Sequence, residues 1–220
     1  MFSIQISTLT ALAAGISVDA GLTPSEDRWI FRTQLRYMER NDDPGPMDRQ
    51  MERYVWNNVL AYGLKRNLTL IVRQPIIRQE MSMVGSTRRN TGRGDLFLAA
   101  KYGIYRRNTA DYTFGIAGTL GLELPTGEDA FSSDTWDLKP GVYMSVRNRE
   151  WASDLSVTYL WNGIFGENSA GINPGEELSL DWALARQFSL GGSAEKSLSP
   201  VVELSYRDIS SNRRNGNDIS

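Results

Sequence analysis

The chain has 220 residues and nearly balanced charge, with 24 basic and 26 acidic side chains. That length allows one large domain or two small ones. It has no Cys and no His, which excludes disulfides, thiolate chemistry, Ser–His triads and most zinc sites. The balanced charge argues against a nucleic-acid-binding protein. After the first twenty residues, no apolar run of about 18 residues could form a spanning helix.

Residues 1–20 resemble a secretory signal segment. They are rich in apolar and small residues, and Val18, Asp19 and Ala20 place small side chains at the two positions that a cleavage site requires. The basic residues that usually open such a segment are missing. We therefore expect a signal-like segment at 1–20 and a barrel domain at 21–220; the alternative is an N-terminal extension.

Apolar and polar residues then alternate with period two in a series of segments, which indicates strands with two different environments. The nine predicted strands cover residues 28–40, 51–64, 68–81, 95–106, 111–124, 136–147, 151–161, 176–190 and 199–208. The hairpin of the sixth and seventh strands is the clearest example. Val142, Met144 and Val146 share one face of the sixth strand, and Ser145 and Arg147 share the other. In the fourth strand Lys101 and Tyr105 are assigned to the polar face, and Pro75 predicts a bulge or break in the third.

The predicted connections alternate between long and short. Long polar loops, including 84–94, 125–133 and 163–175, follow the odd strands, and short turns follow the even ones. This alternation is typical of outer-membrane barrels, which have short periplasmic turns and long extracellular loops. The predicted fold is all-β, an antiparallel up-and-down transmembrane β-barrel. The ninth strand runs outward into a polar tail at 209–220, so we expect further strands beyond the sequence given.

Three segments carry a family resemblance: GDLFLAAKY at 94–102, LELPTG at 122–127 and WDLKPG at 136–141. With their spacing, they resemble the outer-membrane family of the phenol meta-degradation pathway transporters. The resemblance extends weakly from residue 21 to the end. It implies a barrel of about twelve strands in the outer membrane of a Gram-negative bacterium, and transport of aromatic or other hydrophobic compounds. It gives no binding residues that can be carried over.

The charged side chains on the polar faces are the candidate lumen-lining residues. They are Arg32, Arg36, Arg73, Asp95, Lys101, Glu123, Asp137, Lys139, Arg147, Asp154, Asp181, Glu203 and Arg207. They could line a polar pore that selects solutes, or they could form an ion-pair network that fills and stabilises a narrow barrel. No spacing of carboxylates indicates acid–base catalysis, and no calcium-loop pattern is present, so neither enzyme activity nor a cofactor is predicted.

The long loops supply candidate mouth residues: Arg88, Arg89, Arg93 and Phe131. The ring of an aromatic acid could contact Phe131 while its carboxylate binds an Arg. The sequence thus favours an outer-membrane channel for small solutes, with aromatic or hydrophobic compounds as candidates and membrane lipid as the other partner. A non-transporting structural or surface-binding barrel and a soluble ligand-binding β-protein remain as alternatives. The oligomeric state stays open.

Overall fold

All regular elements in the described part of the chain are β-strands. The computed structural model describes residues 2–4, 18–41, 49–189, 197–214 and 217–219, so residues 5–17 of the predicted signal-like segment lie outside the described residues. The strands are β1 (Phe2–Ile4), β2 (Trp29–Arg40), β3 (Gln50–Lys65), β4 (Leu68–Met83), β5 (Ser86–Arg93), β6 (Leu96–Asn108), β7 (Tyr112–Leu124), β8 (Asp137–Asn148), β9 (Trp151–Leu160), β10 (Glu177–Arg186), β11 (Phe188–Ser189), β12 (Ser197–Leu198), β13 (Val201–Ile209), β14 (Asn212–Arg214) and β15 (Asn217–Ile219). No helix in these ranges is long and apolar enough to cross a membrane.

Neighbouring strands pair antiparallel in chain order, and the sheet curls into a half-barrel. Its order is β1-β2-β3-β4-β6-β7-β8-β9-β10-β13, with β5 attached to β4. The nine predicted strands correspond to β2, β3, β4, β6, β7, β8, β9, β10 and β13, which confirms the predicted fold class. A sequence with period two is well suited to this arrangement, because each strand must present one face to each side of the sheet.

The convex face of the sheet is apolar and exposed. Leu120, Val142 and Leu204 expose more than half of their surface, and each lies on the predicted apolar face of its strand. Aromatic pairs lie near both ends of the first long hairpin: the rings of Trp29 and Tyr62 are 4.4 Å apart, and those of Tyr37 and Tyr54 are 4.9 Å apart. An apolar band between aromatic girdles is the outer surface of a transmembrane barrel.

Burial is concentrated on the concave face, where the side chains are small or polar. The fully buried apolar residues there are alanines such as Ala117, Ala152 and Ala183. The buried polar side chains include Thr69, Ser145 and Asp154. This distribution is the reverse of a soluble sheet, which buries large apolar side chains and exposes polar ones.

The predicted loop at 84–94 is wrong, because most of it forms β5. This strand pairs with the C-terminal half of β4, from Met83↔Ser86 to Ile76↔Arg93. A two-residue turn, in which Gly85 has a φ of 78°, joins the two strands. Pro75 lies where the partner of β4 changes from β6 to β5. A residue without an N–H fits this break, and the ladder with β3 continues past it.

Two further expectations differ from the structure. A bulge between Gly103 and Tyr105 shifts the register of β6, so Tyr105 is half exposed on the convex side rather than the inner one. The predicted turn between the eighth and ninth strands lies mostly outside the described residues, and β11 and β12 pair on either side of it. The predicted polar tail contains the hairpin of β14 and β15, which contacts the loop before β10 through paired hydrogen bonds between Asn173 and Arg213.

Candidate functional site on the concave face

The concave face encloses a polar cavity of about 180 Å³. Strands from β2 to β13 contribute to it because alternate residues of each strand point inward. Its charged lining residues are Asp19, Arg32, Arg36, Arg73, Lys139, Glu177, Asp181 and Arg207. Six of these eight are among the candidate lumen-lining residues; Glu177 was not among them, and Asp19 belongs to the predicted signal-like segment at 1–20. Five cations against three anions give the lining a formal charge of +2.

Some of these charges are compensated by nearby carboxylates. Arg32 lies 3.4 Å from Asp19, and Arg207 lies 3.7 Å from Glu177. Arg73 lies 3.6 Å from Glu123, a predicted inner residue that is half-buried beside the cavity. These pairs hold the side chains against the wall, with partial access to solvent.

Two cations of the cavity lack such a partner. Within the described ranges, neither Arg36 nor Lys139 lies within ion-pair distance of a carboxylate. Arg36 donates a hydrogen bond to the Gln34 amide oxygen at 2.8 Å. Asp181 lies on another part of the lining, and the Ser156 hydroxyl is 3.5 Å from it. Glu203, also predicted to face inward, lies half-buried on β13.

Two aromatic side chains lie against glycines on the inner wall. A Cβ added at Gly121 would clash with the Phe97 ring, and one added at Gly141 would lie 2.7 Å from the Tyr143 hydroxyl. The guanidinium of Arg73 lies 4.5 Å from the centre of the Phe97 ring. The sequence pattern places Tyr143 on the polar face of its strand, two residues after Gly141, but Phe97 was not among the predicted inner residues. The signal for Phe97 is Gly121 on the neighbouring strand, which pairs with Ala99, two residues from Phe97.

Two predicted lining carboxylates instead fasten the loop between β7 and β8. Asp95 accepts hydrogen bonds from the backbone of Gly127 and Ser133, both at 2.8 Å, and from the Ser132 hydroxyl at 2.7 Å. Asp137 accepts from the Thr135 hydroxyl at 2.7 Å, from the Ser133 hydroxyl at 2.9 Å and from the backbone of Gly163 at 2.9 Å. Both are buried, so they act as structural anchors rather than as cavity lining.

Arg147 and Asp154 form a buried ion pair at 2.6 Å, with both oxygens of Asp154 bonded to one guanidinium nitrogen. The Ser145 hydroxyl also donates to Asp154. Each of these groups has a partner, as expected if the inner charges form an ion-pair network that stabilises the barrel.

A segment before β2, residues 18–21, lies across the inner wall, and no pattern in the sequence predicts it. The backbone N–H of Gly21 donates to the Ser145 hydroxyl at 2.6 Å, and Lys101 donates to the carbonyl of Ala20. Val18 packs in a cluster with Ala152, Ala183 and Ala185. Gly21 is required here, because a Cβ would lie within 3 Å of the backbone of β7 and β8. This segment explains why Lys101 is buried instead of lining open space.

The predicted mouth residues are not gathered in one loop cluster. Arg88, Arg89 and Arg93 lie on strand β5, and Arg89 forms a two-point ion pair with Glu80 at 2.8 and 3.0 Å. Phe131 is half-buried in the loop between β7 and β8. Arg93 exchanges hydrogen bonds with Glu128 of that loop, its carbonyl accepting from the Glu128 N–H at 2.9 Å and its own N–H donating to the Glu128 carboxylate at 3.3 Å. Arg89 is thus engaged by Glu80, and an aromatic-acid site at the mouth stays a prediction.

Comparison with known proteins agrees with this geometry. No curated protein sequence matches the chain. Among solved structures, the crystal structure of the COG4313 outer membrane channel from Pseudomonas putida F1 matches with a TM-score of 0.62 and 19% identity, over 94% of this chain and 80% of that one. The model of the family described as "Putative MetA-pathway of phenol degradation" matches residues 47–220. An exposed apolar band, a polar concave face and this match together identify the chain as a member of that family, with the fold of an outer-membrane β-barrel.

Proposed function

We propose that this protein is a channel of the Gram-negative outer membrane that passes small solutes, with aromatic compounds as the solute class. The observation that carries the proposal is the polar, solvent-accessible cavity on the concave face of a sheet whose convex face is apolar. A side chain that faces lipid must be apolar, whereas a solute pathway needs polar walls. A soluble ligand-binding barrel would not expose the convex band to water.

The size of the cavity supports a small solute. An apolar cavity of about 150 Å³ holds one benzene molecule, and this cavity measures about 180 Å³. A single-ring compound therefore fits, while a larger one requires the wall or the segment at Gly21 to move. The family description refers to phenol degradation, and the similar structure is that of an outer membrane channel; together they support a channel for single-ring compounds.

The test is solute flux through proteoliposomes that contain the full-length protein. Phenol, benzoate and a sugar of similar mass are compared with protein-free liposomes of the same lipid. Folding is checked separately by heat-dependent mobility on a gel. Entry of at least one solute above the background is expected. If correctly folded protein passes none of them, the channel proposal fails.

A non-transporting structural barrel is the second candidate, and the buried network around Asp154 favours it. Arg147, Ser145 and Asp154 are fully engaged with one another, and Gly21 lies across them. Such a filled interior stabilises a barrel without admitting solutes. Planar-bilayer recordings separate the candidates, since a structural barrel would insert and show no conductance.

A further inference from the structure

Lys139 is the most unusual charge on the inner wall. Its side chain is half-buried and lines the cavity, yet within the described ranges it has no hydrogen-bond or ion-pair partner. A charge that is taken partly out of water without a partner costs free energy. Glu123, Glu177 and Asp19 interact with Lys139 electrostatically, but none of them lies within ion-pair distance of it. The cavity beside Lys139 has room for an anion that would contact the ammonium directly.

The surroundings of Lys139 present more positive charge and an apolar surface. Lys139 pairs in register with Gly121, and the Phe97 ring lies on that glycine, so the ring and the ammonium stem are neighbours. Arg73 stacks on Phe97 and is oriented by Glu123. The guanidinium of Arg73 therefore adds a cation beside the ring, and a planar guanidinium can donate two N–H groups to one carboxylate.

A second free cation faces the same cavity. Arg36 uses its Nε for Gln34, which leaves the two terminal nitrogens of its guanidinium for another acceptor. Asp181 is the one carboxylate of the described lining for which no ion pair is formed. Arg32, Arg73 and Arg207 are each compensated by a carboxylate, so the unpaired groups are two cations and one anion. Their net charge of +1 favours an anion over a neutral solute.

We propose that the cavity is a binding site for small organic carboxylates, in which Lys139 and Arg36 bind the carboxylate and Phe97 contacts the apolar part. The inference rests on the proposed channel function, because the solute must reach the cavity through the channel. It narrows the proposed solute class from aromatic compounds in general to organic acids. Charge on the solute, rather than an aromatic ring alone, is then what the inner wall recognises.

Benzoate and benzamide form a suitable pair of probes, because they have nearly the same shape and only benzoate is charged. Equilibrium dialysis of radiolabelled benzoate against the full-length protein in detergent, with a detergent-only chamber as background, measures binding. The wild type is compared with Lys139→Gln, with the charge-conserving Lys139→Arg, and with Lys65→Gln as a matched control. Lys65 is exposed at the end of β3 and does not line the cavity.

We expect wild-type protein to bind benzoate, and excess unlabelled benzamide not to displace it. Lys139→Gln should weaken binding about tenfold, which corresponds to losing one charge-assisted contact. Lys139→Arg and Lys65→Gln should bind as the wild type does. Arg36→Gln is a second test should Lys139→Gln fail to fold, and it should weaken binding in the same direction.

Two results would overturn the site. One is that unlabelled benzamide displaces radiolabelled benzoate as effectively as unlabelled benzoate does at the same concentration. The other is unchanged affinity in folded Lys139→Gln or Arg36→Gln. The channel is judged by a different measurement, the flux of phenol and sugar into proteoliposomes. Flux without selective benzoate binding removes the carboxylate site alone, and selective binding without flux removes the channel alone.

Discussion

A charge placed on the convex face near the middle of the sheet should destabilise the barrel strongly. Val142 is the best position, because it is the sixth of the twelve residues of β8 and exposes 54% of its surface. Twelve residues at about 3.4 Å each, tilted by ~40°, span roughly 30 Å, the thickness of the hydrocarbon core. Val142 then lies within a few ångströms of the midplane.

The expected cost of Val142→Arg is about 2–4 kcal/mol in the free energy of unfolding, the range for Arg at the midplane of a barrel. Val142→Ala controls for the lost side chain and should cost much less. Thr119→Arg is the matched inner control: Thr119 pairs with Gly141, next to Val142, and lines the cavity. A charge there stays hydrated, so its cost should be clearly smaller.

Unfolding by urea in lipid vesicles, followed by tryptophan fluorescence, measures all three variants. Equal destabilisation by Val142→Arg and Thr119→Arg would refute the assignment of the two faces. Ser145 would be a poor inner control, although the sequence pattern alone suggests it. It is fully buried and accepts a hydrogen bond from Gly21, so any large side chain there disrupts packing.

Three further predictions concern the loops and the orientation. Asp95→Ala should lower stability by about 2–3 kcal/mol and make the loop between β7 and β8 sensitive to protease, because its donors lose their shared acceptor. Asp134, in the loop between β7 and β8, accepts hydrogen bonds from the hydroxyl and backbone N–H of Ser169, in the loop between β9 and β10, and these bonds lower the pKa of the Asp134 carboxyl. The contact between the two loops is therefore present above the ordinary pKa of Asp and is lost as pH falls through the lowered pKa of Asp134. Proteolysis of the two loops should increase in acid, and Asp134→Asn should remove that pH dependence. Cysteine at Ser86 should react with an impermeant maleimide on intact cells and cysteine at Asn108 should not; the opposite labelling would invert the topology.

The long strands could be predicted because two-sided strands impose period two on the sequence. A shift of one residue would turn every apolar side chain of a strand inward, so the pattern specifies the face as well as the element. The pattern failed at Tyr105 for a local reason. The bulge after Gly103 inserts one residue, which moves Tyr105 to the convex face without any change in composition.

Strand β5 could not be predicted in the same way. Arg88, Arg89 and Asn90 place polar groups on both of its faces, so no alternation marks it. Strand β5 forms because β4 is 16 residues long and pairs with β6 only up to Arg73, which leaves the backbone groups after Pro75 for another partner. Pairing of this kind depends on the neighbouring strand, and a segment considered alone contains no trace of it.

The inner wall shows why alternation predicts which residues face inward but not what they do. Thr119 and Ser145 are both inner-facing residues on adjacent strands, yet Thr119 borders the cavity and Ser145 is sealed. The difference comes from Gly21, which is 124 residues from Ser145 in sequence and donates a hydrogen bond to it. The same contact separates the buried Lys101, which donates to Ala20, from Lys139, which remains without a partner in the described chain. The surroundings of an inner charge are therefore set by the segment that lies across it, which covers Lys101 and leaves Lys139 on the cavity wall.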